Sequence, residues 1–371
     1  MAVAHAGCKD GDGRAMIRAP MSQLFSPFTL RGLTLRNRII VSPMCQYSSE
    51  DGALTDWHLV HLGSRAVGGA GLVLIEATAV SPEGRISPWD SGIWAAKHVP
   101  PIERIARFVH SQGAALGIQL AHAGRKASAR RPWEGGGPLP GEQGAWLPVG
   151  PSALPWGEGW PVPRALATDE LEGVVSLFMD GARRAMDAAI QVIEIHAAHG
   201  YLLHSFLSPI SNRRTDAYGG DLPGRARLLL ETAEAVRRVF AGPLLVRISA
   251  TDWVPGGLEP EEMVQVARWL KDLGVDAVDC SSGGSSPEQK IALGPGYQVP
   301  FSERIRSAAG LPTVAVGLIT TPADAEAIVR DGKADLVALA RELLRDPYWP
   351  QHAAKALGVR TQVPPQYARA H

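Results

Sequence analysis

Two rhythms of apolar and polar positions alternate along this chain. Short apolar runs occupy residues 38–42, 71–76, 115–120, 191–196, 244–249, 277–281, 313–317 and 336–340, the fourth of them mostly β-branched. Such runs read as strands buried on both faces. Between most of them the spacing changes to the 3.6-residue period, most clearly over 99–112, 169–189, 225–240, 260–273 and 322–331. Thr168 before Asp169 and Glu170, and Thr321 before Pro322, are helix-start signals. Gly113, Gly274 and Gly332 stand where helices end. Eight strands alternating with helices predict an α/β chain whose parallel sheet closes as a (β/α)8 TIM barrel. An open doubly wound sheet is the alternative, and no GxGxxG follows an early strand to favour it. Ahead of the first strand, alternation around Arg31-Gly32 predicts a hairpin. After the third strand, residues 130–164 are rich in Gly and Pro and carry Trp133, Trp146, Trp156 and Trp160. A loop that long is usually functional or disordered, and its tryptophans predict an ordered excursion over the barrel.

Composition narrows the classes. Lys plus Arg and Asp plus Glu both number 37, so no basic field exists to hold nucleic acid or an anionic membrane. Cys8, Cys45 and Cys280 are widely spaced, odd in number and lack CxxC, which points away from a disulfide framework. No apolar run approaches the ~20 residues of a spanning helix, and the first twenty residues lack a signal-peptide core. A cytoplasmic protein is expected. Met21 opens the first patterned segment, so residues 1–21 are expected to be an extension and 22–371 the barrel with its tail.

The fourth strand ends in His196-Ala-Ala-His199-Gly-Tyr201. Strand ends are where parallel α/β enzymes place their chemistry. Two imidazoles can hold a developing oxyanion, and a phenol can deliver a proton. Two satisfied loop histidines are the structural alternative. A zinc site adding His122 is the other, although no acidic base accompanies it. Arg247 lies inside an apolar strand and must find an anion or strong acceptors. A cofactor rich in electrons would serve, and so would a barrel glutamate such as Glu194. Gln119 both donates and accepts, which suits an imide-like edge. Gly317 and Arg341, after strands seven and eight, suit a phosphate.

Together these strings resemble the Old Yellow Enzyme family of flavin-dependent ene-reductases, in its bacterial thermophilic-like branch. The resemblance runs from about Leu24 to Arg369 and rests on Ser42-Pro-Met-Cys-Gln-Tyr47, Glu76-Ala-Thr78, residues 119–126, 196–202 and 211–220, and Pro365-Gln-Tyr-Ala-Arg369. It implies tightly held, non-covalent FMN, reduced by NADPH or NADH. By that likeness Ser42, Pro43, Met44 and Cys45 lie along the flavin, and Ala77 and Gln119 bond its pyrimidine. Arg247 stabilises the reduced ring, and Gly317, Ala340 and Arg341 hold the phosphate. His196 and His199 hold an enone oxygen beneath Tyr47, and Tyr201 protonates the α-carbon. Nitro and other xenobiotic compounds are further oxidants for such enzymes. No metal is implied. A homodimer or homotetramer is implied, with Arg369 reaching the neighbouring subunit along a tail that Pro364 and Pro365 keep extended. Ala340 departs from the glycine common before the strand-eight arginine, and the chain ends Ala370-His371 where some relatives carry Trp. The alternatives are a flavin-free phosphate-binding barrel isomerase or lyase, a dienoyl-CoA-type reductase, which would need a further C-terminal half, and a non-enzymatic scaffold barrel.

Overall fold

Arg31 at φ 41° and Gly32 at φ 83° turn the chain back between strands β1 (Phe28–Leu30) and β2 (Leu33–Leu35), the predicted hairpin. Positive φ at both turn positions matches the twist of a two-residue hairpin. The computed structural model describes residues 22–370. The extension expected over 1–21 lies outside them.

The remaining strands are β3 (Ile39–Val41), β4 (Leu72–Ala79), β5 (Ala115–Ala121), the short pair β6 (Val149–Gly150) and β7 (Arg164–Ala165), then β8 (Val192–Ala197), β9 (Leu244–Ser249), β10 (Ala277–Ser281), β11 (Thr313–Ala315) and β12 (Leu336–Leu339). Eight of these close a parallel barrel in the order β3-β4-β5-β8-β9-β10-β11-β12, with β12 paired back to β3. Each expected strand is present, although β11 stops at Ala315 rather than running to Gly317.

The helices are α1 (Asp56–Val67), α2 (Val99–Ser111), α3 (Leu171–Asp187), α4 (Leu202–Leu207), α5 (Leu222–Val239), α6 (Pro260–Asp272), α7 (Val299–Ala309), α8 (Pro322–Arg330), α9 (Arg341–Arg345) and α10 (Trp349–Ala356). The five patterned stretches became α2, α3, α5, α6 and α8. Helix α1 escaped the pattern because its buried face carries His58, His61 and Arg65 as well as Leu62 and Ala66.

Two apolar layers follow from strand alternation. Outward-facing Val41, Val73, Ile75, Ile118, Ile193, Ile195, Val246 and Ile248 pack under the helices. Inward-facing Ile40, Leu72, Leu74, Ala115, Val192, Leu245, Ala277, Val314 and Leu336 fill the barrel floor, and Leu30 and Leu35 of the hairpin join them from below. Each large side chain buried there contributes about 1.5–3 kcal/mol.

The excursion after β5 is ordered by its tryptophans. Trp146 Nε1 donates to the Glu83 carbonyl at 2.9 Å, and Trp156 Nε1 to the Gly284 carbonyl at 3.0 Å. Trp133 meets Tyr47 edge-on at 5.7 Å. The tail differs from expectation. Residues 365–370 form a 3-10 turn, closed by Tyr367 N–H donating to the Pro364 carbonyl at 2.8 Å. Proline's fixed φ suits the start of such a turn as well as an extended chain. Among the described residues no helix is long and apolar enough to cross a membrane.

Candidate active site

Continuing upward in steps of two from the apolar floor places the polar groups. Val192 leads to Glu194 and His196 on β8, Leu245 to Arg247 and Ser249 on β9, and Ala277 to Asp279 and Ser281 on β10. On β5 the same stepping reaches Gln119. Strand register sets these side by side: Ala77 faces Gln119, Gln119 faces Glu194, and His196 and Asp279 flank Arg247. The first pairing depends on an irregularity in β4 between Ile75 and Ala77, which shifts Ala77 into line.

His196 and His199 stand edge to face, with His196 Nε2 at 3.3 Å from His199 Nδ1. The Ala198 amide donates to His196 Nδ1 at 3.2 Å, so the His196 proton sits on Nε2. His199 Nε2 lies 2.7 Å from Ser281 Oγ. With the His196 Nε2 proton directed at His199 Nδ1 and the Ser281 hydroxyl donating to Gln298 Oε1 at 3.4 Å, His199 carries its proton on Nε2 and donates to Ser281. An oxygen that accepts from both rings requires that proton on Nδ1, with Ser281 turned to donate to Nε2. Burial, then the Arg247 charge, holds both imidazoles well below their usual pKa, so they are neutral donors. Tyr201 lies edge-on to His196 at 4.8 Å. Burial pushes its phenol well up, which keeps the proton on it.

The turn carrying these groups is pinned from several sides. His199 adopts φ 58° and its N–H donates to Ser249 Oγ at 3.0 Å. Lys126 Nζ donates to the His199 and Gly284 carbonyls at 2.8 and 3.1 Å. The Gly200 amide donates to His204 Nδ1 at 2.7 Å, and His204 Nε2 lies 3.1 Å from the buried Asp252 Oδ1. A Cβ on Gly284 would come 2.4 Å from His199 Cα, so only glycine allows this approach. His122 is elsewhere engaged: its Nδ1 accepts from the Gly124 amide at 3.0 Å.

Ser42, Pro43, Met44 and Cys45 leave β3 at the rim, and Tyr47 follows at φ 50°. The Gln46 amide donates to Glu76 Oε1 at 3.0 Å and ties this segment to β4. Burial, then Asp90 and Glu76, push the half-buried Cys45 thiol well up, so it is a thiol and not a thiolate. Burial raises Tyr47 as well. The acidic partner of Arg247 is Asp279 rather than Glu194, the example named for the structural alternative. Arg247 Nε lies 3.4 Å from Asp279 Oδ2, and its Nη1 donates to Ser42 Oγ at 3.2 Å.

The family model described as NADH:flavin oxidoreductase / NADH oxidase matches residues 23–359. The chain belongs to this family. It is a flavin oxidoreductase of the Old Yellow Enzyme type, with FMN as its cofactor and NAD(P)H as reductant. It is 51% identical over 348 residues to the NADPH dehydrogenase of Geobacillus thermodenitrificans, covering 93% of this chain and 98% of that one. It superimposes on the Old Yellow Enzyme homologue of Zymomonas mobilis at TM-score 0.76 and 26% identity, over 93% of this chain and 98% of the other. A 2-naphthoyl-CoA reductase shares the fold at TM-score 0.81 and 24% identity over 90% of this chain, which spans 52% of that enzyme's length.

The residues present fit the family's cofactor. Arg247 Nε is buried without a hydrogen-bond partner, a cation held ready for an electron-rich group. Gln119 Nε2 donates to Glu194 Oε1 at 2.7 Å, which turns its carbonyl oxygen away from that partner. Arg247 and Arg341 share a cavity of about 160 Å³ with Ser281, Tyr297, Gly317 and Ala340. Gly317, which lines this cavity, takes φ 125°, and a Cβ there would come 2.9 Å from Gln298 Nε2, so only glycine suits the position. Arg369 lies apart, exposed in the tail beyond Tyr367, whose hydroxyl is 3.4 Å from that of Tyr348. Ser281, Gln298, Asp279 and the His204–Asp252 pair were not anticipated as site residues. Ser281 stood at a strand end and was the one with a usable signal.

Proposed function

We propose that the protein reduces the C=C bond of α,β-unsaturated carbonyl compounds at the expense of NADPH or NADH. The observation that carries this reading is the convergence of His196 Nε2 and His199 Nδ1, 3.3 Å apart, beside the Tyr201 ring. FMN, when bound, would supply the hydride for the substrate's β-carbon. The side chains do the rest. The His196 and His199 N–H groups bond the carbonyl oxygen and stabilise the charge that develops on it. Ser281, by turning from Gln298 to donate to His199 Nε2, would hold the His199 proton on Nδ1 when the carbonyl is bound. Tyr201, neutral because it is buried, gives its proton to the α-carbon. Tyr47 closes over the substrate, and Trp133 backs it edge-on.

Ser42, Pro43, Met44 and Cys45 would line the flavin, and Ala77 and Gln119 would take its pyrimidine edge. Arg247 would face the side that gains negative charge on reduction, and Gly317, Ala340 and Arg341 would take the phosphate. Arg369 would complete the substrate pocket of a neighbouring subunit in a homodimer or homotetramer.

Anaerobic NADPH should bleach the flavin spectrum of the purified protein. One equivalent of 2-cyclohexenone should then restore it, with cyclohexanone as product. A protein that bleaches but stays bleached over cyclohexenone and related enones rejects the substrate class.

A further inference from the structure

Three buried carboxylate oxygens inside the barrel have no hydrogen-bond donor: Glu194 Oε2 and both oxygens of Asp279. Neither residue is more than 1% exposed. Strand register sets both around Arg247: Asp279 is level with it on β10, and Glu194 is the next inward-facing residue below His196, which is level with it on β8. Arg247 is the cation beside them, with Nε 3.4 Å from Asp279 Oδ2 but outside hydrogen-bond geometry. The Glu194 Oε1 atom already accepts from Gln119 Nε2 at 2.7 Å.

Charge decides what state this cluster holds. Two ionised carboxylates and one guanidinium would bury a net negative charge, which a low-dielectric interior penalises heavily. One proton on the pair makes the cluster neutral. It also supplies the missing donor to one orphaned oxygen, as two carboxyls in one site commonly do. We infer that Glu194 and Asp279 share one proton, and that this proton sets the charge Arg247 presents to the cofactor. The second half rests on the reading that Arg247 faces the FMN pyrimidine.

The surroundings agree. Burial, then the Asp279 charge, raises Glu194, and burial raises Asp279 against the pull of Arg247. His196, next inward on β8, is held neutral by burial and Arg247 and cannot neutralise the pair. Cys280, beside Asp279 on β10, is likewise a neutral thiol. β5 contributes Gln119 and β3 contributes Ser42, both uncharged, while β4, β11 and β12 face inward with apolar Leu74, Val314 and Ala338. Arg247 is therefore the charged partner, and the shared proton is the variable. Glu194 and Asp279 act as positioning residues: they fix the Gln119 amide and balance Arg247.

The test uses the isosteric variants E194Q and D279N of the holoenzyme. Infrared spectra should show a protonated-carboxyl stretch in the wild type that persists through neutral pH. The part of that band due to the pair should vanish in both variants, because a lone carboxyl opposite Arg247 ionises, while the contribution of buried Glu76 and Asp90 stays. No band in the wild type, or an undiminished band in D279N, overturns the shared proton. Spectroelectrochemical titration of the flavin tests its consequence. Ionisation of the pair at high pH should lower the wild-type midpoint potential more steeply than that of either variant. The double variant, with Arg247 unbalanced, should favour reduced over oxidised FMN at least tenfold, about 30 mV for two electrons. If the double variant does not fold, the difference in pH slope decides. The expected infrared result with unchanged potentials and slopes would retain the shared proton and overturn its link to the cofactor. Loss of NADPH bleaching or enone turnover bears on the proposed function alone.

Discussion

The two ends of the barrel interior are built on the same strands and obey different rules. At the floor, Ile40, Leu72, Leu74, Val192, Leu245 and Leu336 fill space and need only volume. At the mouth, Gln119, Glu194, His196, Arg247, Asp279 and Ser281 each depend on one or two named partners. Val192 and His196 lie four residues apart on β8, about 13 Å along a strand. Within that span the interior passes from interchangeable packing to polar groups that depend on particular neighbours. Stability is concentrated at the lower end and chemistry at the upper, and substitutions at the two ends should fail in different ways.

The sharpest test lies at the mouth. His196→Ala removes one of two donors to a developing oxyanion, where a single donor is worth about 10²–10³ in rate. Enone reduction should fall by that order, and phenol binding should weaken. FMN content and thermal midpoint should change far less, and bleaching by NADPH should be partly retained. Stopped-flow measurement of the two half-reactions separates these. Parent-rate reoxidation by cyclohexenone would remove His196 from the mechanism.

The floor should answer in stability. Leu72 is fully buried between the hairpin and the barrel. Leu72→Ala should cost about 2–5 kcal/mol through lost transfer energy and the cavity left behind. Chemical denaturation should show the loss, while folded protein keeps its kcat for enone. A large fall in kcat without loss of stability would show that the two ends are coupled.

How far the sequence could be read follows the same division. The eight strands were legible because burial on both faces leaves short, largely apolar runs, as in 191–196 and 244–249, broken only where Glu194, His196 and Arg247 face the mouth. Helix α1 was not, because His58 and Arg65 sit on its buried face and break the period. Helix α7 was obscured similarly, since Ser302 and Ala309 share its buried face with Val299 and Ile305. His196, His199 and Tyr201 were visible as chemistry-bearing types clustered at one strand end. Asp279 and Ser281 were not, because their roles exist only through contacts made by the closed barrel. Ser281 meets a histidine 82 positions away, and Arg247 meets Asp279 on the neighbouring strand rather than the suggested Glu194. The proline tail misled because φ near −65° serves a 3-10 turn and an extended chain alike.

Ser281 gives a finer test of how the mouth is wired. Its hydroxyl lies 2.7 Å from His199 Nε2 and 3.4 Å from Gln298 Oε1. Ser281→Ala removes the hydroxyl that would hold the His199 proton on Nδ1 once a ligand oxygen is bound. Losing one such hydrogen bond should weaken phenol binding roughly threefold to tenfold. The ¹⁵N shifts of His199 should report the change of tautomer directly. An unchanged tautomer would mean that His199 is set by His196 alone.

The smallest effect is expected furthest from the mouth. Arg369 is exposed on a 3-10 turn that leans on Tyr348 through Tyr367. Within one chain it neighbours none of the polar groups described at the strand ends. On the proposed reading it would reach a substrate across an interface, in a closed two-fold assembly that places each tail at its partner's site. Arg369→Ala should then leave FMN content, NADPH bleaching and the thermal midpoint unchanged. The KM for an enone should rise a few-fold, since removing an exposed charge at a site rim is worth about 1 kcal/mol or less. Steady-state kinetics beside size-exclusion chromatography checks both halves of this expectation. A monomeric parent protein, or an unchanged KM in the variant, would confine the site to the residues of a single barrel.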